Sequence, residues 1–220
     1  MKAEVIIVAG GIGKRFKSSL PKQFINLNGK PVFLWSVKTF LRIPCVKKII
    51  MVVPANMLED LEKKYKRLKK TVWTSGGKER FDSVREGLKL IDKTSDLTAI
   101  HDAARPLTNI KDIKAVFETA LKTKAAIAAQ KTQDTIKTAA NGKIIKTLDR
   151  KVLWNAQTPQ IFDTKLLIKA YSKKIGANTT DDSQLIENLG EKVSIVEVKF
   201  PNFKITSKQD FKAAQTILKR

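Results

Sequence analysis

Short apolar runs alternate with segments of helical spacing over the first 130 residues. Val5–Ala9 reads as a buried strand that ends in glycines, and Pro31–Arg42 as a helix with a proline near its start. Lys48–Val53 reads as a second strand, closed by Pro54, and Met57–Leu68 as a charged amphipathic helix. Thr71–Trp73 is a short strand, and Arg80–Leu90 a helix opened by Gly76-Gly77. Leu97–His101 (strand), Ile110–Thr123 (helix) and Ala125–Ala129 (a strand of small residues) continue the series. This β-α-β-α rhythm predicts an α/β fold with a doubly wound, mostly parallel sheet and helices on both faces. Such sheets bind ligands beyond the carboxyl ends of their strands.

The rhythm breaks after Gln130. Asp134–Thr138 and Lys143–Leu148 flank Ala140-Asn141-Gly142, and Asn-Gly between alternating stretches signals a hairpin. A hairpin here protrudes from the sheet as an arm at about residues 133–150, either making dimer contacts or lying as a plain surface hairpin. The chain returns through Lys165–Lys174 and Thr180–Asn188 (helices), Val193–Val198 (strand) and Ser207–Leu218 (helix), the last opened by Ser207 and Asp210 in capping-box spacing. Neither internal repeats nor low-complexity segments interrupt it, and residues 1–220 read as one domain.

The charge complicates this ordinary picture. There are 43 basic and 21 acidic residues, a net +22. A polyanion partner, steering of small anions and a lysine-rich solvated surface all account for it. The basic residues are 35 Lys and 8 Arg, with the lysines scattered over helix faces, which favours compositional bias over nucleic-acid binding. An RNA-binding module would interleave aromatics with basic residues on an exposed sheet, and no such pattern occurs. The single cysteine, Cys45, precludes a disulfide within the chain, and no apolar run approaches a membrane span. The first strand begins almost at Met1, leaving no room for a signal or transit peptide, so the expectation is a cytoplasmic protein.

Chemistry concentrates in the first loop, Ala9-Gly10-Gly11-Ile12-Gly13-Lys14-Arg15. Glycines let backbone N–H groups approach phosphate oxygens. It is not a P-loop, because Arg15 follows Lys14 where Ser or Thr is required. It is not a dinucleotide fingerprint, because Phe16 stands where the third glycine belongs. A glycine loop followed by Lys14, Arg15 and then Lys22 suits a triphosphate, while a tight turn with solvated charges remains the plainer alternative. His101-Asp102 does not suggest a metal hydrolase, since the chain has one histidine. Cys45, Trp35 and Trp73 read as packing residues; Trp154 could be packing or site.

A-G-G-x-G-x-R followed by Pro21-Lys22-Gln23-Phe24 resembles the signature of sugar-phosphate nucleotidyltransferases, most closely the polyol-phosphate cytidylyltransferases. Gly76–Val84, His101–Pro106, Ala156–Gln160, Thr180–Asp182 and Asn202–Thr206 resemble further segments of that family, in the same order and over nearly the whole chain. The resemblance implies a Rossmann-like nucleotidyltransferase sheet and transfer of CMP from CTP to a polyol phosphate. Asp82-Ser83-Val84, Ala103-Ala104 and Leu153–Ala156 favour 2-C-methyl-D-erythritol 4-phosphate as the acceptor, in isoprenoid precursor synthesis. Val8-Ala9-Gly10-Gly11 is a form shared with the ribitol-5-phosphate enzymes, which keeps ribitol 5-phosphate as the alternative.

By resemblance, Arg15 and Lys22 stabilise the transition state, and Arg150 and Lys204 hold the incoming sugar phosphate. Ala9, Gly10, Gly11, Gly13, Gly77, Ser83, Asp102 and Ala103 are implied to bind the nucleotide, with Gly77 and Ser83 in the cytosine-reading loop and Asp102 meeting a ribose or substrate hydroxyl. Arg105, Thr135 and Thr180 are implied substrate contacts. Arg150 and Thr135 lie on or beside the arm, which implies a homodimer whose arm reaches the neighbouring site. Mg²⁺ is implied as a cofactor bound mainly by the phosphates, with no protein ligand named. The acceptor phosphate is itself the nucleophile, so neither a protein nucleophile nor a strong base is needed, which suits a chain with one His and one Cys.

Overall fold

The computed structural model describes residues 1–11, 16, 20–173, 176 and 179–219. In chain order its elements are β1 (Ala3–Val8), β2 (Asn26–Leu27), β3 (Lys30–Pro31), α1 (Val32–Leu41), β4 (Val46–Val53), α2 (Leu58–Lys64), β5 (Thr71–Ser75), α3 (Arg80–Leu88), β6 (Leu97–Asp102), α4 (Ile110–Thr123) and β7 (Ala125–Lys131). There follow β8 (Lys137–Ala140), β9 (Lys143–Thr147), β10 (Trp154–Asp163), α5 (Thr164–Tyr171), α6 (Asp182–Glu187), β11 (Ser194–Glu197) and α7 (Lys208–Ile217).

Seven strands form the central sheet in the order β11-β7-β10-β6-β1-β4-β5. All neighbours run parallel except β10, which is antiparallel to both β6 and β7. From β1 the chain winds outward through β4 to β5, then returns to β6 on the other side of β1. The winding therefore reverses at β1, and the carboxyl ends of β1 and β6 open a crevice there.

Strand alternation sorts the apolar side chains onto two faces. Val5 and Ile7 join Met51, Phe33, Val37 and Phe40 of α1, and Ile113, Val116 and Phe117 of α4. Ile6 joins Ile50, Ile100, Val84 of α3, Leu167 of α5, and Leu185 and Ile186 of α6. Each large apolar side chain buried this way contributes roughly 1.5–3 kcal/mol. Helix α3 lies close on β1, since a Cβ at Gly87 would stand 2.7 Å from Ile6 Cγ2. A smaller cluster of Leu27, Val32, Leu107, Ile205 and Ala214 seats α7 beside the crevice.

The sequence-based elements recur, with the unexpected short pair β2–β3 added and with the differences that follow. Strand β10 was not expected, because Gln157, Thr158, Pro159 and Gln160 interrupt its apolar pattern and its pairing with β7 shifts between Ala156 and Gln160. Helix α2 ends at Lys64 rather than Leu68: Leu61 is its one buried residue, and Lys63, Lys64, Lys66 and Arg67 crowd like charges at its end. Helix α6 starts at Asp182, leaving Thr180 outside it. The hairpin β8–β9 forms about the expected turn, although β8 runs Lys137–Ala140 rather than Asp134–Thr138, with Asn141 and Gly142 at φ 50° and 74°, the pair of positive values that a two-residue hairpin turn requires. Both its strands are exposed throughout. Ser207 and Asp210 do form the capping box of α7.

Candidate active site

The crevice is a cleft of ≈ 340 Å³ between the first loop, the segment before α3, the end of β6 and the chain leading to α7. Nine of the residues expected in a site line it: Ala9, Gly10, Gly11, Lys22, Gly77, Ser83, Asp102, Ala103 and Lys204. Gly13 and Arg15 lie outside the described residues, as does Lys14.

The glycine loop is tied down by a side chain that sequence reasoning passed over. Gln23 is buried, and its Nε2 donates to the carbonyls of Ala9 at 2.5 Å and Gly11 at 2.9 Å. Backbone bonds hold the loop's root, with Ala9 N–H donating to Val52 O at 2.7 Å and Ala103 N–H to Val8 O at 3.1 Å. The opposite wall needs small residues for a steric reason. A Cβ at Gly76 would sit 2.7 Å from Ser83 Oγ, and one at Gly77 would collide with the Asp82 side chain. Ser83 in turn donates to Glu79 O at 3.2 Å, and the Asp82 carboxylate accepts from Glu79 N–H at 3.1 Å, which fixes the start of α3.

Charge in the cleft is dominated by Asp102 and its cations. Lys204 Nζ donates to Asp102 Oδ2 at 2.8 Å, Arg80 Nε approaches Oδ1 at 3.4 Å and Arg105 Nε lies 3.7 Å from Oδ2. Burial alone would raise the Asp102 pKa, but Lys204, Arg80 and Arg105 hold it well below the usual carboxylate range. Arg80 also places Nη2 2.6 Å from Asp182 Oδ2. Burial works against the charge on Arg80, yet Asp182 and Asp102 overcome it and raise its pKa. The cleft lining carries four cations (Lys22, Lys78, Arg80, Lys204) against two carboxylates (Glu79, Asp102). That surplus suits a ligand bearing several negative charges.

Beneath the cleft lies a neutral polar layer. Asp102 N–H donates to Thr158 Oγ1 at 3.0 Å, and Thr158 Oγ1 contacts His101 Nδ1 at 3.1 Å. Thr108 Oγ1 donates to Asn202 Oδ1 at 2.8 Å, and Asn202 Nδ2 donates to Gln157 Oε1 and Thr158 O, both at 2.9 Å. Arg105 Nη1 donates to the Asn202 carbonyl at 2.7 Å, so Arg105 lies under the cleft, bracing the chain that carries Lys204, rather than lining it. His101 has no exposed surface, and burial pushes its pKa down to about 3, so it sits neutral in this layer, touching Thr108 Oγ1 and Thr158 Oγ1. Cys45 is half-buried against the larger core. Trp73 stacks on Tyr65, and Trp35 packs under Lys30.

Three expected residues are not brought to the cleft within one chain. Thr135 and Arg150 stay with the arm, where Arg150 Nη1 donates to Gln133 O at 2.8 Å. Thr180 borders a second depression, with Trp154 and Asp181. Conversely, Gln23, Arg80, Thr158, Asn202 and Asp182 matter to the geometry and were assigned no role from sequence. Gln23, Arg80, Thr158, Asp182 and Asn202 do fall inside the quoted motifs, but nothing in their spacing reveals which atoms they hold.

No group of three or more His, Cys, Asp or Glu among the described residues could hold a metal ion. Asp102 is already paired with three cations. No helix among the described residues is long and apolar enough to cross a membrane.

A mostly parallel sheet whose switch-point crevice joins a glycine loop to a cluster of cations defines an α/β nucleotidyltransferase. The comparisons agree. The sequence model of the 2-C-methyl-D-erythritol 4-phosphate cytidylyltransferase family matches residues 3–220. The enzyme of that name from Endomicrobium trichonymphae is 59% identical over 220 residues, covering 100% of both chains. A 4-diphosphocytidyl-2C-methyl-D-erythritol synthase from Anaerococcus prevotii superimposes with a TM-score of 0.86 at 31% identity, covering 100% of this chain and 96% of that one. A 2-C-methyl-D-erythritol 4-phosphate cytidylyltransferase from Thermus thermophilus gives 0.84 at 27%, covering 100% of each. The chain belongs to the 2-C-methyl-D-erythritol 4-phosphate cytidylyltransferase family.

Proposed function

We propose that this chain transfers CMP from CTP to 2-C-methyl-D-erythritol 4-phosphate, a step of isoprenoid precursor synthesis. A phosphate oxygen of the acceptor attacks the α-phosphorus of CTP. The bond from the α-phosphorus to the oxygen bridging to the β-phosphate breaks, and pyrophosphate leaves with that electron pair. The observation that carries the proposal is the cation cluster of Lys204, Arg80 and Arg105 around Asp102, at the same cleft as the glycine loop and Lys22. Two polyanions must meet here, and fixed cations lower that barrier without reorganising.

In this scheme the backbone of Ala9–Gly11 cradles the triphosphate, and Lys22 with Arg15 offsets charge on its oxygens. Gly77 and Ser83 border the base, Asp102 and Ala103 the ribose side, and Lys204 meets the acceptor phosphate. Mg²⁺ accompanying the triphosphate would be held by the phosphates rather than by side chains of this chain and would supply charge neutralisation there. Arg150, Thr135 and the arm are proposed to complete the acceptor site of a second copy, in a homodimer. Exposed apolar side chains at Ile144, Ile145 and Val152 (67%, 69% and 72%) favour burial of the arm against such a partner. Arg105, which braces Asp102 and the Asn202 carbonyl beneath the cleft, is proposed to act on the acceptor site through them, and Thr180, at the second depression, to contact the acceptor. A cytoplasmic location accords with a chain whose one cysteine has no partner within it.

Pyrophosphate release should be measured with CTP and Mg²⁺ against methylerythritol 4-phosphate and ribitol 5-phosphate in parallel. The expected result is much the faster turnover with methylerythritol phosphate. Faster turnover with ribitol phosphate reverses the acceptor assignment, and none with either removes the proposal.

A further inference from the structure

Asp182 takes no part in the phosphate grip just described and does not line the cleft, yet it is wholly buried. A carboxylate taken out of water costs several kcal/mol unless it is well paired. Asp182 is paired twice: Arg80 Nη2 lies 2.6 Å from its Oδ2, and the Tyr171 hydroxyl donates to its Oδ1. Replacing such a pair by apolar groups is often neutral or stabilising, so stability alone does not account for it.

The geometry supplies another reason. From Asp182 the contacts run without a break into the cleft. Arg80 presents Nη2 to Asp182 and Nε to Asp102 Oδ1 at 3.4 Å, while Asp102 Oδ2 accepts from Lys204 Nζ at 2.8 Å. Arg80 Nη1 is buried without a hydrogen-bond partner, so among its nitrogens only Nε and Nη2 make these contacts. An arginine facing a single carboxylate favours a two-pronged grip on both oxygens. With Asp182 neutral, Arg80 would turn towards Asp102 and compete with Lys204 for Oδ2.

We infer that Asp182 is a positioning residue for the transfer: by occupying the Nη2 edge of Arg80 it keeps Arg80 off Asp102 Oδ2, the oxygen that accepts from Lys204 with Arg105 Nε farther off at 3.7 Å, and so fixes the ammonium that meets the acceptor phosphate. This rests on the cytidylyl-transfer assignment of the cleft. Tyr171 supports the same arrangement by holding the other oxygen of Asp182.

Asp182→Asn, nearly isosteric, tests it with two readouts. The first is the side-chain ¹⁵Nζ resonance of Lys204, assigned by its loss in Lys204→Ala. It should be a hydrogen-bonded ammonium signal in the wild type, and shifted or broadened away in Asp182→Asn. The second is steady-state kinetics: KM for the acceptor should rise about tenfold, as expected within one ion-pair network, while KM for CTP changes less than about twofold. An unmoved Lys204 signal, or equal changes in both KM values, overturns the inference. Should Asp182→Asn fail to fold, Tyr171→Phe removes only the second hydrogen bond, and a shift of the same signal with a rise of about threefold in acceptor KM is then required. A folded wild type that turns over neither acceptor refutes the cytidylyl assignment, while the Lys204 resonance still decides whether Asp182 governs that contact.

Discussion

Changing Gln23 to Glu swaps one amide for a carboxylate of almost the same shape, and the outcome turns on which atom donates. Gln23 Nε2 now donates to Ala9 O at 2.5 Å and Gly11 O at 2.9 Å, with the side chain 3% exposed. A carboxylate has no proton to give at neutral pH, so its oxygen would face two carbonyl oxygens of the same partial charge. Two lost hydrogen bonds cost about 1–3 kcal/mol, and an unsatisfied buried carbonyl at Ala9 adds about 1–3. Taking about 4 kcal/mol as the central value, Tm should fall by roughly 8–16 °C in a domain of this size. Because the carbonyls belong to the phosphate-binding loop, KM for CTP should also rise, on the order of tenfold. Gln23→Leu removes the donor without adding an acceptor and should cost less on both counts. Scanning calorimetry and CTP titration of initial rates measure the two effects. Unchanged Tm and KM in Gln23→Glu, or a larger loss in Gln23→Leu, would refute the argument that donation to the loop is what Gln23 supplies.

Lys22→Ala and Arg15→Ala should each lower kcat by about 10²–10³ with smaller changes in KM, since their cations act on the transition state; near-normal kcat in both removes them from the site. His101 is neutral in the fold with its pKa pushed down to about 3, against about 6.5 unfolded. The unfolded chain therefore binds an extra proton between those values, and stability should decline by about 1.4 kcal/mol per unit as pH falls through that window. His101→Gln should flatten the slope of Tm against pH between 4 and 6; an unaltered slope means that other groups set it. The double variant Ile144→Asp, Ile145→Asp should convert a dimer into a 24.7 kDa monomer by light scattering; a dimer that persists rules out the arm as its seam.

Much of the architecture was legible because it follows from local pattern. Short, β-branched apolar runs such as Val5–Ala9 and Lys48–Val53, closed by glycines or proline, read as buried strands, and Ile110–Thr123 repeats at helical spacing over its whole observed length. Asn141-Gly142 called for a turn with two positive φ values, which is a property of those residues alone. Strand β10 was not legible, because its pairing is with β6 and β7, and the polar Gln157–Gln160 stretch is buried only after those neighbours surround it. Thr180 was legible as a motif position, but its place at a second depression away from the cleft was not.

For the site, sequence alone determined the chemical inventory: a glycine loop at the end of the first strand, cations after it, and no second histidine or cysteine to suggest another chemistry. It also carried the family resemblance, since motif order survives in one dimension. Tertiary structure decided how the charges are shared. Arg80, Asp102, Asp182 and Lys204 span more than half the chain, yet they form one connected set of ion pairs, and Gln23 reaches back to hold the loop that precedes it. The physical reason is that Coulomb and hydrogen-bond energies depend on distances of a few ångströms and on burial, and neither is a property of any residue until the sheet has brought its distant strands together.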